Sequence, residues 1–222
     1  MKRRNLLKGL VTLAVTERLL ALRSAFAAGG KLPPPGMHRI TGPVQVNGKP
    51  AVQGMVIATG DTITTGQGGE AIYIIGNDAY LQRDSSVVTL TGDTLKKGLR
   101  ILTGKLLSVF GKGNKSIETG TATIGIRGTG CYIESAPDKV YFCLCYGEAE
   151  IASLKHPEKV ETIETQHHDH PVYLHDDGSK MMVPADMINH TDSELILLES
   201  LVGRWPPFYT SNPLDGYGHQ KY

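Results

Sequence analysis

The chain is predicted to fold as an all-β domain, sandwich-like or solenoid-like, followed by a histidine-rich tail that carries one helix. Three observations lead there. Glycine is abundant, at 26 of 222 residues, and is spread along the chain. Short runs of β-branched and aromatic residues recur between Gly, Asn, Asp and Pro. No stretch from residue 38 to 151 keeps up a helical apolar period. Closely spaced turns between short strands build sandwiches and solenoids rather than helical bundles. Hydrophobic residues at 40% beside charged residues at 20% give enough apolar surface for a core.

Residues 1–28 read as an export signal. Lys2, Arg3, Arg4 and Lys8 give a basic start, an apolar run follows from Gly9 to Val15, and Ala25-Phe26-Ala27 is a small-x-small cleavage pattern. Cleavage is expected between Ala27 and Ala28. The pair Arg3-Arg4, followed by Leu6, Leu7 and Lys8, fits a twin-arginine signal. The apolar run is shorter than the roughly 20 residues that span a bilayer, and Glu17, Arg18 and Arg23 follow it. No later segment is long enough either, so the expected location is the periplasm, with no transmembrane helix in the mature chain. Six of the 23 basic residues and one of the 22 acidic residues lie in this signal, so the rest has a net charge of −4. That balance argues against nucleic acid as a partner.

Residues 29–37, with Pro33-Pro34-Pro35-Gly36, form a stiff linker. The β domain is expected over 38–151, with ten or more short strands. Val44-Gln45-Val46, residues 71–75, residues 87–90 and residues 140–146 are the clearest. From residue 152 to 222 the composition changes, and seven of the eight histidines lie there. Thr191-Asp192-Ser193-Glu194 is a capping box that starts a helix over about 192–202. Leu195, Ile196, Leu198, Leu201 and Val202 supply its apolar face. Glu199 is expected to face solvent, and Gly203 to stop the helix. Trp205 and Phe208 are expected to pack on the β domain.

Two motifs carry a resemblance. Gly60-Asp61-Thr62-Ile63-Thr64-Thr65-Gly66 precedes an apolar strand. Far downstream, Ala122-Thr123-Ile124-Gly125-Ile126-Arg127-Gly128-Thr129 precedes a hairpin that closes in Tyr146-Gly147-Glu148-Ala149-Glu150-Ile151. In order and spacing these resemble the FecR domain family over about residues 40–151. Tyr146 stands where that family usually has Glu. The resemblance implies an all-β extracytoplasmic domain that binds a protein partner or ligand, without enzymatic activity, in envelope sensing or signalling. Regulators of that family carry an anti-sigma segment and a transmembrane helix before the domain, and this sequence shows an export signal instead.

Candidate site residues fall in two groups. Arg127, set among glycines, is read as a structural arginine or as a ligand contact. Cys131, Cys143 and Cys145 fall in one expected hairpin around the turn Ala136-Pro137-Asp138-Lys139. Strand alternation puts Cys143 and Cys145 on one face. A pairing register summing to 276 would set Cys131 opposite Cys145, and a slip of one residue would reverse its face. Three readings stand side by side: a Cys131–Cys145 disulfide, three small buried hydrophobes, or a transition-metal or haem site completed by His167, His168 or His170. The last would make a metal-binding redox protein. Phosphate-loop, dinucleotide and nucleophile-elbow spacings are absent from the sequence.

Overall fold

The computed structural model describes residues 31–92, 97–137, 139–175 and 181–209. The expected export signal, residues 1–28 with its cleavage point at Ala27 and Ala28, lies outside them. Contacts divide the chain into Met1–Pro33 and Pro34–Tyr222. Within the first unit, the described residues 31–33 have no regular structure. The second unit holds all the strands and the helix described below.

Among its described residues, this unit is all-β with one helix, near the C-terminal end. Its strands are β1 (Gly36–Thr41), β2 (Val44–Val46), β3 (Lys49–Pro50), β4 (Thr62–Thr65), β5 (Glu70–Ile75), β6 (Asp78–Gln82), β7 (Ser86–Gly92), β8 (Lys97–Val109), β9 (Asn114–Glu118), β10 (Ala122–Ser135), β11 (Val140–Ser153), β12 (Val160–Thr165), β13 (Val172–Leu174) and β14 (Met182–Pro184). Helix α1 is Asp192–Leu201. The strands form one sheet in the order β14-β13-β11-β10-β9-β8-β7-β4-β2-β3, with β1, β5, β6 and β12 off this path.

Three strands are much longer than the sequence suggests. β8 has 13 residues, and β10 and β11 have 14 each. Their length lets each pair with different partners along its course. The first half of β10 pairs with β9, and its second half with β8. The expected boundary after Ile151 marks no change of fold. β11 runs across it, and β12 and β13 both pair with β11.

Alternation along these strands separates two cores. Cys131 and Ile133 of β10, with Val140, Phe142 and Leu144 of β11, face one cluster. Tyr132 of β10, with Tyr141, Cys143 and Cys145 of β11, faces the other. Ile72, Ile74, Leu81, Leu107 and Val109 complete this second face, which Leu195, Leu198 and Leu201 of α1 cover. An isolated ten-residue helix is marginal in water, so this apolar contact is what makes α1 stable.

The helix begins where the sequence indicates. Thr191 accepts from the Glu194 amide, and the Glu194 carboxylate accepts from the Thr191 amide at 2.9 Å. Gly203 follows with a φ of 73°. Two expectations fail beyond that. Trp205 is exposed and stacks on Tyr209, leaving Phe208 alone of the pair to pack against the second cluster. Glu199 is 3% exposed rather than solvent-facing. Its carboxylate accepts from the Tyr146 hydroxyl and pairs with Arg204 Nε at 2.6 Å. Tyr146, the position that departs from the FecR pattern, is thus the residue that receives the tail helix.

The Tyr146 ring can lie there because residue 130 has no side chain. A Cβ on Gly130 would sit 2.5 Å from ring carbon Cε1. Gly130→Ala is therefore expected to destabilise by about 1–3 kcal/mol through overpacking, read as a lower midpoint in urea unfolding.

Candidate metal centre

Cys143 and Cys145 reach the second face from the middle of β11, and both are fully buried. The paired register is Cys131↔Leu144 and Tyr132↔Cys143, a sum of 275. That is one residue off the register that would align Cys131 with Cys145. Irregular pairing between Arg127 and Cys131 accompanies the shift. Cys131 consequently faces the first core, away from Cys145, and this geometry does not suit the Cys131–Cys145 disulfide. None of the three cysteines is bridged here.

Two imidazoles converge on the Cys143–Cys145 pair. His168 Nδ1 lies 3.4 Å from Cys143 Sγ and 3.1 Å from His190 Nε2. One donor atom from each of Cys143, Cys145, His168 and His190 falls within 4.8 Å of all the others. Around a tetrahedral zinc ion, with Zn–S of about 2.3 Å and Zn–N of about 2.0–2.1 Å, neighbouring donors lie roughly 3.3–3.8 Å apart. The 3.4 Å and 3.1 Å separations about His168 Nδ1 are close to that spacing, and all four atoms lie near enough to share one ion. Haem binds differently, through axial ligands to one iron.

The outer nitrogens of both rings are already committed. His168 Nε2 lies 3.1 Å from Asp192 Oδ1, and His190 Nδ1 lies 2.6 Å from the Ile188 carbonyl. Both partners can only accept, so both outer nitrogens carry hydrogen. In the neutral rings the inner nitrogens are then two lone pairs facing each other at 3.1 Å. Only a shared proton or a cation satisfies that arrangement. A histidine ligand whose far nitrogen donates to a carboxylate or a carbonyl is the usual support of a metal site.

The backbone is shaped to hold these rings. His168 has a φ of 53° and Asn189 a φ of 55°, left-handed values that non-glycine residues adopt at a cost. The His168 amide donates to the Cys145 carbonyl at 3.0 Å, tying residue 168 to β11. Asp169 Oδ2 accepts from the Gln166 and His167 amides and fixes the intervening loop. These amide hydrogen bonds, Gln166 first, lower the Asp169 pKa. On the other side, Arg83 holds the Asn189 carbonyl at 2.9 Å and the Glu194 carboxylate at 2.7 Å. Asn189 Nδ2 donates to Glu134 Oε1, and the His190 ring stacks on Tyr132 with centroids 4.6 Å apart.

Of the sequence candidates, Cys143, Cys145 and His168 come together. His167 sits just outside, with its Nε2 3.0 Å from Asp192. Among the described contacts, His170 makes none with the centre, and Cys131 points away. His190 and Asp192 escaped the sequence reading. His190 lies beside the helix cap, where Asn189-His190-Thr191 reads as capping, and Asp192 reads as an ordinary first-turn acid. Arg127 is exposed on a pocket lined also by Asn114, Lys115, Glu148 and Glu150, and among the described contacts it makes none with the centre.

No protein-family profile matches the chain, and no curated protein matches it. Two crystal structures of a candidate anti-sigma factor from Parabacteroides distasonis ATCC 8503 resemble it, each with a TM-score of 0.47, at 11% and 10% identity. Each match covers 56% of this chain and 60% of the other.

Charge at the centre follows from its hydrogen bonds. The Cys143 thiol is pulled down to about 4, first by the hydrogen bond from Cys145 and then by His168 and His190, against the opposing effect of burial. Burial chiefly pushes Cys145 up, and the neighbouring Cys143 thiolate adds to it. Burial lowers His168, but Asp192 and Cys143 outweigh it and raise the ring to about 9. Without metal, the pair is therefore a Cys143 thiolate beside a His168 imidazolium. The thiolate's stabilising contribution exists above the ordinary thiol pKa and is lost as pH falls through about 4. The imidazolium's is full below the ordinary imidazole value and is lost as pH rises through about 9. Metal-free protein is thus expected to show thiolate ultraviolet absorbance at neutral pH that disappears near pH 4 and is missing in Cys143→Ser.

Proposed function

We propose that this chain is a non-enzymatic, exported, FecR-like protein that binds one divalent transition-metal ion through Cys143, Cys145, His168 and His190. The observation that carries the reading is the convergence of four buried donor atoms within 4.8 Å, with both histidines oriented from behind. Two thiolate and two imidazole ligands suit zinc. Two thiolates and a divalent ion sum to zero charge, which suits a buried site. Four protein ligands leave no open position for substrate or a reactive water, so the ion serves structure and binding rather than hydrolysis.

The ion would fasten the tail to the sheet. Its ligands come from β11, from the loop after β12 and from the residue before the α1 cap. The export signal and the resemblance over residues 40–151 support a location in the periplasm and a role in binding an envelope protein partner. Cobalt substitution tests the metal reading. Protein freed of metal and titrated with Co2+ is expected to develop thiolate-to-cobalt charge-transfer absorbance that saturates at about one equivalent. Absence of that absorbance would refute the site.

A further inference from the structure

The buried ligands are closed to solvent. Cys143 and Cys145 are fully buried, His190 is 3% exposed and the His168 side chain 7%. An ion needs a way in. One group of side chains touches both the buried ligands and water. Both carboxylate oxygens of Asp192 lie 3.0 Å from His167 Nε2, and Oδ1 also accepts from His168 Nε2. The side chains of His167 and Asp192 are 46% and 41% exposed. Donor atoms of His167, His168 and Asp192 also lie within 4.8 Å of one another.

We propose that His167 and Asp192, against the outer edge of His168, form a second, solvent-facing site that captures a divalent transition-metal ion and passes it to the buried ligands. The inference rests on the reading of Cys143, Cys145, His168 and His190 as the resident site.

The geometry gives this outer site the character of a port. Imidazole and carboxylate bind a borderline divalent ion and leave positions open for water. The His167 ring packs against Phe208 at a tilt of 32°, with centroids 4.3 Å apart, and its backbone amide is tied to Asp169. Asp192 is the first residue of α1, where the positive end of the helix dipole offsets part of the carboxylate charge. That weakens a cation held there relative to one on two buried thiolates. His168 belongs to both sites, since its Nε2 faces Asp192 and its Nδ1 faces Cys143 and His190. When the ion moves inward, the Asp192 carboxylate returns to His168 Nε2 and holds the ring in its ligating orientation.

Stopped-flow loading of the metal-free full chain with Co2+, followed by thiolate-to-cobalt absorbance, tests the port. In the wild type the loading rate is expected to saturate with Co2+ concentration, because capture precedes transfer. His167→Ala is expected to load at least about ten-fold more slowly, linearly in Co2+, to the same final absorbance. The ten-fold figure takes the lower end of the roughly 10–100-fold loss in metal affinity or activity that follows removal of an outer-shell partner. His170→Ala, which alters an exposed histidine of the same loop, is expected to load at the wild-type rate. The port is overturned if His167→Ala loads as fast as the wild type, or if His170→Ala slows loading equally. Normal final absorbance with an unchanged rate would sink the port alone. No thiolate-to-cobalt absorbance in the wild type would sink the resident site instead.

Discussion

Cys143→Ser and Cys145→Ser are each expected to lose tight metal binding and, with it, most of the stability that metal gives the fold. A serine hydroxyl stays protonated at neutral pH and cannot replace a thiolate ligand, so either change leaves at most three ligands. The stabilisation at stake follows from mass action: an ion present at about 1,000 times its dissociation constant adds about 4 kcal/mol. Binding of metal to the unfolded cysteines and histidines trims that figure. Urea unfolding with and without added zinc is the measurement. The wild-type midpoint is expected to rise with zinc and to fall on adding a chelator, and both serine variants are expected to ignore both additions. Because both serine variants keep Ile72, Ile74, Leu81, Leu107 and Val109 under α1, they are expected to remain folded and to resemble the chelated wild type.

Glu199→Ala is expected to be the most damaging single change in the tail outside the ligands. Glu199 is buried, and it joins three separated segments: Tyr146 of β11, α1 itself and Arg204 after the helix. Arg204 also donates to the Asn77 carbonyl at 2.6 Å, beside β6. Removing one partner of a buried pair costs about 3–5 kcal/mol. The Arg204 side chain is 30% exposed and recovers some hydration, so about 3 kcal/mol is expected. Glu199→Gln keeps an acceptor for Tyr146 and loses only the charge, so it is expected to cost about 1–2 kcal/mol. The damage should reach the metal. Glu199 fastens the last turn of α1, and Asp192 and His190 lie at and before its first, so Glu199→Ala is also expected to weaken metal affinity. Calorimetric unfolding of the two variants, with competition between protein and a coloured chelator, reads both effects.

The fold was legible in the sequence where local chemistry decides it. Val44–Val46, residues 71–75 and residues 140–146 are strands because alternation and β-branched residues suffice. α1 starts at its capping box because Thr191 and Glu194 satisfy each other's backbone amides three residues apart. The length of β8, β10 and β11 was hidden, because abundant glycine suggests closely spaced turns, while these strands pass straight through Gly104, Gly125, Gly128, Gly130 and Gly147. The face of Cys131 was hidden for a related reason: a pairing irregularity before it sets the register, and one residue decides the face. Glu199 looked like a solvent-facing acid because its partner, Tyr146, is 53 residues away.

The candidate centre was half legible. Two cysteines at alternate positions of a strand share a face by geometry alone, and the histidine cluster placed His168 near by composition. His190 was masked by a helix cap that explains its neighbours without needing its ring. Asp192 was masked in the same way, as a first-turn acid on a helix. Both take on another meaning only once the rings of residues 168 and 190 are seen facing each other, each anchored from behind.

Elemental analysis of the full chain, reconstituted with zinc and freed of loosely held metal, tests the central claim most directly. About one zinc ion per chain is expected in the wild type, because a closed four-ligand site is nearly filled. Cys143→Ser is expected to retain almost none. Less than about 0.1 ion per chain in the wild type, or equal zinc in the wild type and the Cys143→Ser variant, would contradict the account.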